Sequence, residues 1–304
     1  MTNFKWLACF VLAVTMVPAL PAKTHCPGNV ASVPLHLLNG YLMIVPVSIN
    51  HSDPYQFLLD TGTQTTTIDP SLAVELGVTT QGAESIAGVG FQTSASSAKL
   101  NLLEIGSHTV AKQKVLVYSL RNLQSSGLNI QGVLGEDFLE HFDVLIDNAH
   151  SLLCLDDSSA MRAGVKGPHI ALVTPAQTPD GAPLSRSLIV ESRLSDAMRP
   201  VRLWLDSGTN VPFLYNPSEY LARRTSDNAL QSGTGANGER GVYVALPAQD
   251  LKIGPLELPK VAFFTFAGAS KDPRISEFDG LLTTGLFGRI FICHADHFVV
   301  LEPR

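Results

Sequence analysis

The sequence predicts an all-β fold with short helices, organised as two related halves, and three observations carry that prediction. An apolar run ending in a carboxylate occurs twice, as Phe57-Leu58-Leu59-Asp60-Thr61-Gly62-Thr63 and as Leu203-Trp204-Leu205-Asp206-Ser207-Gly208-Thr209. Each copy reads as a strand that breaks into a tight turn with one Asp at its tip. Other landmarks recur in the same order: the helix caps Asp69 and Asn216 are 147 residues apart, and Ile105-Gly106 and Ile253-Gly254 are 148 apart. Gly132 and Gly280 are separated by 148, and Ile146 and Ile292 by 146, the same offset as the two Asp residues. Between these landmarks the chain runs in short Leu-, Ile- and Val-rich stretches divided by Gly, Pro, Asn and Asp, the punctuation of strands.

The chain has 304 residues, of which 45% are hydrophobic and 16% charged, enough for two domains that each bury a core. A formal net charge of −6 and the lack of any basic run exclude a nucleic-acid partner on electrostatic grounds. Residues 1–22 read as a signal peptide: Lys5, an apolar stretch from Trp6 to Val17, then small residues and prolines ending at Ala22. That stretch is too short for a membrane span, so a periplasmic or secreted protein is expected, with an uncleaved anchor as the lesser alternative. Removal of Cys9 with the signal leaves Cys26, Cys154 and Cys293, an odd number with no zinc-site spacing and no evident disulfide framework.

Taken in order, the first half opens near Val33. Tyr41–Ile49 and Tyr55–Leu59 form a hairpin about the turn His51-Ser52-Asp53-Pro54, and its second strand delivers Asp60. Asp69-Pro70 caps a short helix that Gly77 ends. Ile86-Ala87-Gly88-Val89-Gly90-Phe91 is apolar and Gly-rich, the composition of a mobile hairpin tip. Strands at Leu100–Ile105 and Val115–Tyr118 follow, then Ile130–Gly135, one or two helical turns over Glu136–Phe142, and a hairpin around Asn148-Ala149-His150. A Gly-, Ser- and Pro-rich stretch then marks the boundary, giving halves at 33–157 and 185–304 joined by a linker at 158–184. Beyond it, strands at Leu188–Val190 and Val201–Leu205 lead to Asp206, and Asn216-Pro217 opens a helix through Leu221.

These residues resemble the pepsin and retropepsin superfamily of aspartic peptidases, and more closely its bacterial retropepsin-like branch. The first half carries the pattern in order: Leu58–Thr63, the flap candidate Gly88-Val89-Gly90, Leu103–Gly106, Gly132-Val133-Leu134-Gly135-Glu136-Asp137-Phe138-Leu139 and Val144–Asp147. The second half matches more loosely, through Leu205–Thr209, Ile253-Gly254, Asp279–Leu282 and Val299–Pro303. The resemblance implies two retropepsin-like β-barrel lobes in one chain, with the active site in the cleft between them under a flap. Both Asp turns lie in one chain, so a monomer suffices for the dyad.

The implied activity is endopeptidase cleavage of a peptide or unfolded protein. Hydrolysis without a metal needs a base to activate water and an acid to protonate the carbonyl oxygen. Two adjacent carboxyls sharing one proton supply both, the arrangement for which aspartic peptidases are known. Asp60 and Asp206 are the candidate pair. Thr61 and Ser207 are placed to brace the two turns, Gly62 and Gly208 to let the backbone turn, and Thr63 and Thr209, by family analogy, to hydrogen-bond the carboxylates. Gly88, Val89, Gly90 and Phe91 form the flap; no cofactor or metal is implied.

The second half departs from the pattern at two positions: Thr283 stands where the first half has Gly135, and Cys293 where it has Asp147. A Thr in the Gly position is expected to displace the strand behind Asp206, and the rival reading is a non-catalytic peptide-binding scaffold with a degenerate second half. Gly233-Thr234-Gly235-Ala236-Asn237-Gly238 fits a dinucleotide pattern by letter, but no buried strand precedes it, so it is read as a second loop or flap. His294 and His297 around Asp296 are read as a polar turn in preference to a metal site.

Overall fold

The run Phe57-Leu58-Leu59 is buried on both faces because the strand Tyr55–Leu59 lies inside a sheet, between Leu42–Ile49 and Gly132–Leu134. The structure, a computed structural model, describes residues 25–38, 40–88, 91–124, 129–174, 185–219, 221, 230–234, 240–267 and 277–304. The signal segment 1–22, residues 175–184 of the linker and the flap residues Val89 and Gly90 lie outside the described residues.

Among the described residues, twenty-three strands fall into three sheets. The eight-stranded sheet draws only on residues 36–134, and the nine-stranded sheet only on residues 189–283. The two repeat one construction. Tyr55–Leu59 pairs in parallel with Gly132–Leu134, matching Phe57 to Gly132 and Leu59 to Leu134. Val201–Asp206 pairs in parallel with Gly280–Thr283, matching Leu203 to Gly280 and Leu205 to Leu282. Even the side chains that seal the strand starts correspond: the Gln131 amide oxygen accepts from Gln56 N, and an Asp279 carboxylate oxygen accepts from Arg202 N.

The six-stranded sheet joins the halves. Asp143–Asp147 lies antiparallel to Phe287–Cys293, with Val144 opposite Ile292, Leu145 opposite Phe291 and Ile146 opposite Ile290. Each of these strands is the other's counterpart in the repeat, so the pairing maps onto itself and a local two-fold axis passes through Leu145 and Phe291. The linker contributes here too. Ala160–Gly164 is a short helix, and Ile170–Ala171 pairs with Phe298–Pro303 at the sheet edge.

Local chemistry sets the remaining elements. Asp69 caps the helix Pro70–Glu75 by accepting from Ser71 N, and its other oxygen accepts from Leu120 N. Burial raises the Asp69 pKa, but these hydrogen bonds outweigh it and hold the carboxyl below its ordinary value. Gly77, at φ 63°, ends the helix in the left-handed region. The counterpart after Asn216 is only the 3-10 turn Pro217–Glu219, shorter than the helix expected from sequence. Cys26 and Cys154 form a disulfide, so the chain start is tied to the six-stranded sheet even though the odd cysteine count suggested no such bridge. Cys293 is free and buried, and burial pushes its thiol up to about 11. No helix among the described residues is long and apolar enough to cross a membrane.

Candidate active site

Each Asp is held first by its own turn. Asp60 N donates to Leu134 O at 3.0 Å, which fixes the backbone where the strand ends. The carboxylate then folds back over the turn: Gly62 N donates to Oδ1 and the Thr63 hydroxyl to Oδ2, both at 2.8 Å. In the second half Gly208 N donates to Asp206 Oδ1 at 2.7 Å.

The two turns are bolted together by a reciprocal set of bonds. Thr61 N donates to Ser207 Oγ and Ser207 N to Thr61 Oγ1, each at 3.0 Å. The Thr61 hydroxyl donates to Leu205 O at 2.9 Å, and the Ser207 hydroxyl to Leu59 O at 2.8 Å. Both side chains are almost fully buried, so an unmade bond would leave a desolvated polar atom. At a net 0.5–1.5 kcal/mol for a typical bond, the four together contribute about 2–6 kcal/mol. The four bonds interchange when each half is replaced by its counterpart, placing the same kind of two-fold axis between the Asp turns as in the six-stranded sheet. Trp204 adds a bond with no counterpart, its indole N–H donating to Thr61 O at 3.0 Å.

This brace brings each glycine against the opposing carboxylate. A Cβ on Gly62 would lie 2.5 Å from Asp206 Cγ, and one on Gly208 would lie 2.6 Å from Asp60 Oδ2. Neither glycine has a positive φ, so close approach, not backbone freedom, is what requires glycine here. The Asp206 carboxyl and Gly208 N both act on the Asp60 carboxyl, each favouring its charged form. Burial pushes the Asp60 carboxyl above its ordinary value, although the donors Thr63, Gly62, Asp206 and Gly208 all oppose the rise. Asp60 keeps some exposure to solvent, yet enough protein surrounds its carboxyl for desolvation to dominate.

Residues 45–138 match a family model described as Aspartyl protease, a span that contains Asp60, its backing strand and the Gly88–Phe91 hairpin. That match supports a relation of the first half to the pepsin and retropepsin superfamily. Among similar solved structures is a retropepsin-like aspartic protease from Rickettsia conorii, 22% identical over a match covering 41% of this chain and 90% of that one, with a TM-score of 0.31. No curated protein sequence matches the chain.

Against the aspartyl protease pattern, two details differ from the sequence expectation. The Thr209 hydroxyl donates to Val211 O at 3.1 Å, so its single proton is not given to Asp206, whereas Thr63 does bond Asp60 as expected. Thr283 does not displace its strand, because Asp206 stands opposite Thr283 in the register that the first half sets. The reason lies in where the extra atoms go. A Cβ on Gly135 would lie 2.8 Å from Thr63 O, a carbonyl that instead accepts from Glu136 N. Thr283 occupies that space with its hydroxyl, which donates at 2.6 Å to Thr209 O, the counterpart of Thr63 O, and accepts from Gly285 N. The substitution replaces a backbone donor by a side-chain donor.

The flap candidate is a hairpin, Gln81–Gly88 against Phe91–Ile105, with Gly88 paired to Phe91. Its second-half counterpart is the hairpin Leu230–Thr234 with Arg240–Ala245, which contains the start of the Gly233 motif; residues 235–239 lie outside the described residues. Leu230 and Val242 are among the exposed large hydrophobic residues. His294 and Asp296 turn to different partners, Glu136 and Arg162, as expected of a polar turn. Neither Trp204 nor Thr283 was singled out from sequence as a support of the turns; both are legible only once their carbonyl partners are placed.

Proposed function

We propose that the chain is an exported, single-chain, two-lobed aspartic endopeptidase that uses Asp60 and Asp206 to cleave peptides or unfolded proteins. The observation that carries this reading is the mutual approach of Gly62 to the Asp206 carboxyl and of Gly208 to the Asp60 carboxyl. Two acidic groups that close cannot both ionise at low cost, so the pair holds one proton and titrates as a unit. Gly62 N and the Thr63 hydroxyl both donate to the Asp60 carboxylate, which suits Asp60 to the ionised role and leaves Asp206 as the acid.

In the reaction, a water between the carboxyls attacks the peptide carbonyl carbon. Asp60 takes a proton from that water while Asp206 gives its proton to the carbonyl oxygen, forming a neutral tetrahedral diol. Proton transfer from Asp60 to the nitrogen and from a diol hydroxyl to Asp206 then breaks the C–N bond, releasing acid and amine and restoring the dyad. The Gln81–Gly88 hairpin serves as the flap that closes over the substrate and excludes bulk water.

The family match at residues 45–138 supports a protease, and the Cys26–Cys154 disulfide supports export, since such bonds persist in oxidising compartments. The scaffold reading rested on Thr283, and the undisturbed register at Thr283 removes its motive. The test is replacement of either Asp by Asn, with cleavage of an unfolded protein substrate and thermal unfolding measured together. Both variants are expected to remain folded and to lose cleavage; undiminished cleavage by D60N would overturn the reading. N-terminal sequencing of the exported protein is expected to start just after Ala22.

A further inference from the structure

Behind the Asp60 turn lies a carboxylate that the proposed chemistry does not use. Glu136 is fully buried, and its backbone N–H donates to Thr63 O at 2.8 Å, while the Thr63 hydroxyl reaches Asp60. Glu136 therefore sits one residue away from the group that positions Asp60. Its Oε2 faces His294 Nε2 at 2.9 Å, and His294 belongs to the turn that follows strand Phe287–Cys293 in the other half of the chain. His294 Nδ1 faces Phe142 O at 2.7 Å.

The two contacts fix where hydrogens sit. A carbonyl only accepts, so Nδ1 carries a hydrogen. The contact between Nε2 and Glu136 then needs a second hydrogen, held on the imidazole or on the carboxyl. The first arrangement, imidazolium facing carboxylate, satisfies every polar atom but Glu136 Oε1, which is buried without a hydrogen-bond partner. Removal of that hydrogen would set two lone pairs face to face at 2.9 Å and leave an uncompensated carboxylate in the interior.

The neighbouring charges favour keeping the proton. Asp137 lies on the same short helix as Glu136 and Glu140 caps its end, and Asp143 lies beside His294 with the neutral Cys293 thiol. Opposing them are Arg186, paired with Glu140 at 2.8 Å, and Arg162, which spans Asp143 and Asp296 at 2.9 and 2.6 Å. His108 and His141 stack edge-on to Phe142, whose carbonyl holds Nδ1. Burial alone would pull His294 down, but the hydrogen bond and charge of Glu136 outweigh it and raise the imidazole above its ordinary value. Burial likewise raises Glu136.

We propose that His294 is a positioning residue: as an imidazolium bridging Glu136 and the Phe142 carbonyl, it clamps the support of the Asp60 turn to the second half of the chain. Loss of one proton at alkaline pH releases the clamp and loosens that turn. The consequence for cleavage rests on the endopeptidase reading; the clamp itself does not. The sign follows from both groups being raised. The folded state holds the proton more tightly than the unfolded chain, so this share of stability is fully present below the ordinary His value near 6.5 and is lost as pH rises through the folded value of His294.

The experiment uses the isotope-labelled full chain, with three readouts against pH: the ring-nitrogen signals of His294, hydrogen exchange at the Glu136 amide, and kcat/KM on an unfolded protein substrate. In the wild type, both His294 nitrogens are expected to stay protonated at a pH where an ordinary histidine is half neutral. In H294Q the Glu136 amide is expected to exchange roughly tenfold faster or more, the loss of one charge-assisted hydrogen bond, with the Gly285 amide of the second half unchanged. In E136Q a Gln amide can donate to a neutral His294, so its ring is expected to titrate at lower pH than in the wild type, while the alkaline limb of kcat/KM set by the shared dyad proton remains. A neutral wild-type His294 at pH 6.5 overturns the proposal, as do wild-type exchange in H294Q and a wild-type His294 titration in E136Q. If H294Q fails to fold, the wild-type nitrogen signals and E136Q still decide. Absence of cleavage at every pH, with the nitrogen and exchange results as expected, refutes the peptidase reading and leaves the clamp standing.

Discussion

Gly62→Ala tests the dyad geometry more sharply than removal of an Asp, because it adds one methyl group and takes no functional atom away. The added Cβ would stand 2.5 Å from Asp206 Cγ and 2.6 Å from both carboxylate oxygens. Non-bonded carbon atoms settle about 3.5–4.0 Å apart, so the Asp206 carboxyl must retreat by about 1 Å or the turns must part by as much. The turns are held by the four buried Thr61 and Ser207 bonds and by Trp204, so the carboxyl is the part that yields. A displacement of about 1 Å at reacting groups costs on the order of 100-fold in rate, or about 2.7 kcal/mol of barrier. Overpacking also costs about 1–3 kcal/mol of stability, too little by itself to unfold an ordinary domain. The assay is kcat/KM on an unfolded protein substrate, beside thermal unfolding of the same preparation. Gly208→Ala, whose Cβ would meet Asp60 Oδ2 at 2.6 Å, is expected to behave alike. A folded Gly62→Ala with kcat/KM within a few-fold of wild type would show that the two carboxyls do not act as one unit.

The two hydroxyls after the glycines are expected to part company. Thr63→Val removes a donor to ionised Asp60, so the Asp60 pKa rises and the acid limb of kcat/KM moves to higher pH; Thr209→Val, whose hydroxyl serves Val211 O, leaves that limb in place, and equal shifts in both pH profiles would refute this. Thr283→Ala strips the hydroxyl from Thr209 O and from Gly285 N and is expected to cost about 1–2 kcal/mol in chemical unfolding, whereas Thr283→Ser costs clearly less; equal losses would mean the hydroxyl is idle. Cys26→Ser opens a loop closed over a sequence separation of 128 and is expected to cost about 4–5 kcal/mol, read as a fall in thermal midpoint that reductant reproduces in the wild type.

What the sequence disclosed and what it hid divide along a physical line. The Asp turns, the hairpin that ends in Asp60, the Asp69 helix cap and the repeat were legible because each is a local pattern: a strand period, a turn residue, a cap. The joining sheet was not, since nothing local in Asp143–Asp147 says that it pairs with Phe287–Cys293 instead of closing its own half. The Cys26–Cys154 bridge was hidden for the same reason, two partners far apart in an odd set. Thr283 misled in a more instructive way. Judged by residue type, a Thr in a Gly position predicts a clash, but the space that Gly135 leaves empty adjoins a carbonyl that needs a donor. A hydroxyl meets that need, so the second half reaches the same register by a different set of atoms.

That difference bears on how the duplicated halves divide labour. On the first side, Thr63 O is held by Glu136 N, and Glu136 is in turn gripped by His294 from the other half. On the second side, Thr209 O is held by a Thr283 hydroxyl that neither carries charge nor titrates in the working range. Under the proposed clamp the backing of Asp60 therefore answers to pH, while that of Asp206, tied across the halves by the Asn148 amide to Thr284 O and Phe287 O, does not. A symmetric pair would need no such difference, but a dyad in which one Asp stays ionised and the other protonated has unlike members, and unlike supports are consistent with the roles proposed for them.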